Sequence, residues 1–206
     1  MNNGKKFVLS SFLLLALVFS SFRSVQTVHA ACGGVVYVNA SSGASSPDGC
    51  SWGNAFPKLQ DALTASTAGD EIWVAAGAYY PDEGAGQTND SRTSTFRLKS
   101  GVAVYGGFAG AETTRSQRDP SVNVTVLSGD IGALGAAADN AYQVVNIIGS
   151  LADVYVLDGF TVTGGNSNGS SGHGGGLYIQ NASPALSNLV VTNNQASANG
   201  AGVYVT

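Results

Sequence analysis

The last fifty residues carry nearly the same passage twice. Leu157-Asp-Gly-Phe-Thr-Val-Thr163, a Gly-rich polar stretch and Gly175-Gly-Leu-Tyr-Ile179 make the first pass. Leu186-Ser-Asn-Leu-Val-Val-Thr192, another polar stretch and Ala201-Gly-Val-Tyr-Val205 make the second. Leu157 aligns with Leu186 at an offset of 29, and Tyr178 with Tyr204 at an offset of 26. A unit of that length cannot bury its apolar face alone and must stack on its neighbour. Its apolar runs are short, β-branched and separated by Gly and Asn, which leaves no room for a helix between them. The pattern predicts an all-β solenoid, a right-handed parallel β-helix of about six coils.

The composition agrees. Charged residues make up 11% of the chain and Gly 28 of 206, against usual shares of about 25% and about 7%. Low charge with abundant Gly suits stacked strands joined by tight corners. Near-continuous apolar runs should form ladders along the stack, while Asn and Gly take the left-handed backbone at the bends. Asn193 and Asn194, opposite Gly164 and Gly165, mark one such corner, and their amides are expected to bond to an Asn of the neighbouring coil. Residues 174–176 and 200–202 mark the next.

Lys5 and Lys6 precede the apolar run 7–22, and Val28-His29-Ala30 offers small residues for cleavage. Residues 1–30 thus read as a secretory signal peptide, cut between Ala30 and Ala31. The run is shorter than the ~20 apolar residues of a membrane span, and no later segment could cross a membrane. Cleavage takes Lys5, Lys6 and Arg23 away, leaving six basic residues against 13 acidic ones, a net charge near −7. Such a chain is a poor partner for nucleic acid. Cys32 and Cys50 form an even pair in an exported chain and are expected to be disulfide-bonded across 17 intervening residues.

Within the domain at 31–206, one helix is expected at 56–66, with Phe56, Leu59, Ala62 and Leu63 on one face, Gln60 facing away and Pro57 in the first turn. Its task is to cover the open end of the stack. The chain stops at Thr206 inside a strand pattern with no C-terminal cap, which reads as truncation of a longer solenoid.

Trp52 and Gly69-Asp-Glu-Ile-Trp-Val-Ala-Ala-Gly-Ala-Tyr79 resemble the opening of secreted right-handed β-helix proteins of the pectin-lyase-like superfamily. Tyr105-Gly-Gly-Phe108, Glu112, Arg115, Arg118, Leu127-Ser-Gly-Asp-Ile131 and Asp139-Asn140 resemble its continuation in bacterial surface versions. Gly175-Gly-Leu-Tyr178 and Val191-Thr-Asn-Asn194 are similar to repeats of polymorphic outer membrane proteins, with Val191 where that repeat has Phe. The resemblance implies an exported, secreted or cell-surface (outer-membrane) protein that is not an enzyme and presents a face for adhesion or glycan binding. Its partner is then an extracellular polysaccharide or a cell-surface glycan. The alternatives are a polysaccharide lyase or hydrolase acting on acidic glycans, and a fragment of a larger surface protein.

The residues themselves leave these readings open. Uronate elimination uses carboxylate-held calcium and a base. Asp82, Glu83 and Asp90 share one loop and are the set that Ca2+ would take; no other cofactor is indicated. Asp130, Asp139, Asp153 and Asp158 read as turn-closing residues. His173 has no nucleophile motif beside it. Trp52, Tyr79 and Tyr80 are candidates for stacking on sugar rings, and Tyr178 with Tyr204 for an aromatic ladder.

Overall fold

The computed structural model describes Met1, residues 32–170 and residues 172–206. The signal-peptide assignment at 1–30, with Ala30 and Ala31 at its cleavage site, lies outside the described residues. The chain opens with β1 (Val35–Val38) and helix α1 (Leu59–Ala65). Strands β2 (Glu71–Ala75), β3 (Gly77–Tyr79) and β4 (Phe96–Arg97) come next, then β5 (Ala103–Phe108), β6 (Thr125–Ser128) and β7 (Val145–Ile148). A third group holds β8 (Val156–Asp158), β9 (Thr161–Thr163), β10 (Asn166–Ser167) and β11 (Leu177–Gln180). The last holds β12 (Ala185–Ser187), β13 (Val190–Val191), β14 (Gln195–Ala196) and β15 (Val203–Val205).

These strands form parallel sheets of order β1-β2-β5-β8-β12, β3-β6-β9-β13 and β4-β7-β11-β15, with β10 and β14 as a separate pair. Among the described residues the fold is therefore all-β and parallel, with one short α-helix and two single 3-10 turns. It visits the three large sheets in a fixed order. The first sheet has five strands, one fewer than the six coils expected.

The registers show why the sequence repeats. Leu157 pairs with Leu186 and Tyr178 with Tyr204, so the two offsets are the distances from one strand to its neighbour in the sheet. One inward ladder runs Val36, Ile72, Val104, Leu157 and Leu186. A second runs Tyr79, Leu127, Val162 and Val191, and a third Phe96, Val145, Leu177 and Val203. Most of these side chains, with Leu59, Ala62 and Leu63 of α1, belong to a single apolar cluster. Each fully buried Val, Leu or Phe contributes about 1.5–3 kcal/mol. Burial fails only in the last strands, where Leu186 is 36%, Val203 42% and Val205 64% exposed.

Two corners follow the expected residue types with a different bonding pattern. Gly164, at φ 76°, donates its N–H to the carbonyl of Asn193, itself at φ 53°. The Gly165 N–H goes to Asn194 Oδ1 at 2.9 Å, while Asn194 Nδ2 reaches the Val162 carbonyl at 2.9 Å. The Asn194 amide thus bonds to backbone of the preceding strand pass, and to its own Thr192 carbonyl, rather than to another Asn amide. A Cβ on Gly165 would lie 1.9 Å from the Gly175 carbonyl oxygen, so only Gly fits there.

Helix α1 is shorter than expected. Phe56 donates its N–H to the Tyr37 carbonyl and accepts from Asn39, bridging in parallel beside Val38, so its backbone is extended. Lys58 is the N-cap and Pro57 precedes the helix. Ser66 ends it, bonding back to the Ala62 carbonyl through both N–H and hydroxyl. Gln60 does not face away: it is 5% exposed and its amide donates to the carbonyls of Pro81 and Thr95. The helix packs on β1, β2 and β4, two of which are edge strands. The Cys32–Cys50 disulfide is present, and its loop is held on β1 by Tyr37 N–H to the Gly49 carbonyl. No helix among the described residues is long and apolar enough to cross a membrane.

Candidate functional site

The sheet β4-β7-β11-β15 turns alternate residues outward. In register across it stand Arg97, Asn146, Tyr178 and Tyr204. The Tyr178 and Tyr204 rings lie 5.5 Å apart at 30°, and the His173 ring stacks on Tyr204 at 4.4 Å and 10°. His173 comes from the loop before β11 and is fixed there, with Nδ1 accepting from the Asn199 N–H at 3.2 Å. Three partly exposed rings therefore make one continuous apolar strip with polar edges.

Beside Asn146 the strip meets a cleft of about 340 Å3, lined by Arg92, Thr95, Tyr142, Gln143, Asn146 and the 169–170 loop. Arg92 builds its wall. Its Nε donates to the Asn140 carbonyl at 2.6 Å and its Nη2 to Asn168 Oδ1 at 2.8 Å, while the guanidinium lies 4.2 Å above the Tyr142 ring. Gln143 ties the cleft to the strip by donating to the His173 carbonyl and accepting from Asn146 Nδ2. Asn146 Oδ1 has no hydrogen-bond partner among the described residues.

The charges divide unevenly. Lys58 pairs with Glu83 at 2.6 Å, Arg118 with Asp158 at 2.5 Å, and Arg115 with Glu71. Arg92, Arg97 and Lys99 have no carboxylate partner among the described residues; Lys99 donates to the carbonyls of Thr64 and Ser66. Arg97 and Lys99 line a shallower groove that adjoins the cleft at Thr95 and ends near Tyr155. At that end burial pushes the Tyr155 phenol up, while the Ser150 N–H and the Ser100 hydroxyl hold Asp153 below the usual carboxylate range.

The stacking residues expected from sequence fare differently. Tyr79 is 2% exposed, its hydroxyl donating to the Ala75 carbonyl at 2.9 Å and accepting from Ala40 N–H at 3.2 Å. Burial pushes its phenol up to about 12. It is a core residue and cannot stack on a ligand. Trp52 is committed to packing, edge-on to Tyr37 at 4.8 Å, 5.7 Å from Phe108, and donating Nε1 to the Glu112 carbonyl. Tyr80 is half-buried and lines the acidic cleft described next.

Asp82, Glu83 and Asp90 do share a cleft of about 220 Å3, together with Asp130. Their carboxylates do not converge freely. Asp82 is buried and accepts from the Asp90 N–H at 2.8 Å, and Glu83 is held by Lys58. No three His, Cys, Asp or Glu side chains among the described residues come together as metal ligands.

Sequence reasoning found the Tyr178–Tyr204 ladder from the repeat but missed Arg92, Tyr142 and Asn146. Those three lie in loops or on a strand outside the repeated segment, where no periodicity marks them. No protein-family model, curated protein or solved structure matches the chain.

Proposed function

We propose that this chain is an exported, non-enzymatic right-handed parallel β-helix protein of the pectin-lyase-like kind, secreted or held at the cell surface. Its β4-β7-β11-β15 face binds an extracellular or cell-surface glycan. Three features support the winding: the fixed order of visits to three parallel sheets, the in-register ladders, and the helix packed on the edge strands β1 and β4.

The observation that carries the binding reading is the Tyr178–Tyr204–His173 stack running into the Arg92–Tyr142–Asn146 cleft. A pyranose offers C–H faces to aromatic rings and hydroxyls to amides. The guanidinium of Arg97 and the ammonium of Lys99, which have no carboxylate partner among the described residues, suit a carboxylated or sulfated sugar.

A glycan screen with and without calcium, read for binding and for unsaturated uronate by ultraviolet absorbance, tests this. Binding of acidic glycans without product is the expected result. Calcium-dependent product, or no binding by folded protein, would overturn it.

A further inference from the structure

Among the described residues Asn is followed by Gly at Asn168-Gly169 and at Asn199-Gly200. Such a pair is chemically labile, because Gly lacks the Cβ that keeps a peptide nitrogen away from the preceding side chain. Both asparagines are exposed, but their surroundings differ. Asn199 is bonded only through its backbone among the described residues, its N–H donating to His173 Nδ1 and its carbonyl accepting from the Gly174 N–H. Asn168 carries a cation on its side chain: Arg92 Nη2 donates to Oδ1 at 2.8 Å. A guanidinium has donors only, so the atom that faces it is the amide oxygen and not the nitrogen.

Arg92 is held there independently of Asn168. Its Nε donates to the Asn140 carbonyl at 2.6 Å, its Nη2 also to the Asn166 carbonyl at 3.1 Å, and the guanidinium lies 4.2 Å from the centre of the Tyr142 ring. The same ring packs on Gly169, where a Cβ would stand 3.2 Å from it. Tyr142 thus carries both the cation and the peptide that follows Asn168. The Gly169 N–H and Asn168 Nδ2 have no acceptor among the described residues, so neither is tied down. Arg92 has no carboxylate partner among them either.

We infer that Asn168 is a site of self-deamidation, with Arg92 as the group that selects it over Asn199. The Gly169 nitrogen gives its proton to water and bonds to Asn168 Cγ, which pushes the C=O electron pair onto Oδ1. Arg92, a donor fixed in advance, stabilises that oxyanion. The Cγ–Nδ2 bond then breaks, the departing nitrogen takes a proton from water and leaves as ammonia, and a five-membered imide remains. A second water opens the imide, at Cγ to give aspartate or at the main-chain carbonyl to give isoaspartate. The sum is one water consumed and one ammonia released. The aspartate formed faces Arg92 in a charge-assisted pair, so the cleft wall exchanges a cation for an ion pair. None of this depends on the glycan reading of the cleft.

Peptide mapping by mass spectrometry, on folded protein kept at neutral pH, follows the gain of about 1 Da at each site. Asn168 should convert about tenfold faster than Asn199, a modest effect for one oxyanion donor because the site is open to water. In urea the two should convert at similar rates, since each is followed by Gly. Arg92→Gln should bring Asn168 down to the rate of Asn199 and leave Asn199 unchanged. Equal rates in the folded wild type would overturn the inference, as would a preference for Asn168 that persists in urea or in folded Arg92→Gln. The comparison of folded with urea-treated wild type decides the matter if Arg92→Gln does not fold.

Discussion

Tyr79 gives the core a measurable alkaline limit. Its ring is buried at the head of the second ladder, and its hydroxyl sits between the Ala75 carbonyl and the Ala40 N–H. Burial raises the phenol to about 12 in the folded chain, against about 10 for an unfolded tyrosine. Because the folded pKa is the higher one, the folded state keeps the proton longer. The stabilisation is fully present below about pH 10 and is lost as pH rises toward 12. Two units correspond to about 3 kcal/mol in the limit, and roughly 1.4 kcal/mol is already lost by pH 11.

Tyr79→Phe removes the titrating group and keeps the ring. It should cost about 1 kcal/mol at neutral pH, the worth of the lost hydrogen bonds. Urea unfolding of both proteins, followed by tryptophan fluorescence at about pH 9 and pH 11, isolates the effect, since all other titrating groups are common to both. The wild type should lose roughly 1.4 kcal/mol more than the variant over that interval. Equal losses would show that Tyr79 ionises as an exposed phenol, and the ladder that buries it would be wrong.

Other perturbations probe separate parts of the fold. Cys50→Ser frees a loop of 17 intervening residues and should lower stability by about 3 kcal/mol in the chain-entropy model; an unchanged Tm under oxidising conditions would contradict it. Arg118→Met leaves Asp158, only 13% exposed in its side chain, without its cation and should cost about 3 kcal/mol in urea titrations. Gly165→Ala drives a methyl into the Gly175 carbonyl and should destabilise by about 2 kcal/mol or more, with a melting curve like that of the wild type refuting the corner geometry.

The repeat made part of this structure legible. Offsets of 29 and 26 turned out to be sheet registers, and the Gly164–Gly165 and Asn193–Asn194 pair was a true corner, with left-handed backbone at Gly164 and Asn193. The disulfide was legible as an even pair of cysteines behind a signal-like N-terminus. Strands of two or three residues, however, have no periodicity that tells inside from outside. Tyr79 therefore looked as available as Tyr204, although one heads a core ladder and the other stands on an outer face. Gln60 looked exposed because its partners, the carbonyls of Pro81 and Thr95, come from later in the chain. The Arg92 wall and the Arg118–Asp158 pair likewise depend on contacts between distant segments, which local sequence does not encode.

The proposed glycan face is tested most directly by affinity. A carboxylated oligosaccharide selected by the screen should be titrated against wild type, Tyr178→Ala, Tyr204→Ala and the double variant, with folding checked by circular dichroism. Each lost ring should weaken binding by about three- to tenfold, in line with about 0.5–1.5 kcal/mol per aromatic contact, and the double variant by more than either. Affinities that do not change across all four folded proteins would contradict the account, because no ligand could then be lying on the tyrosine ladder.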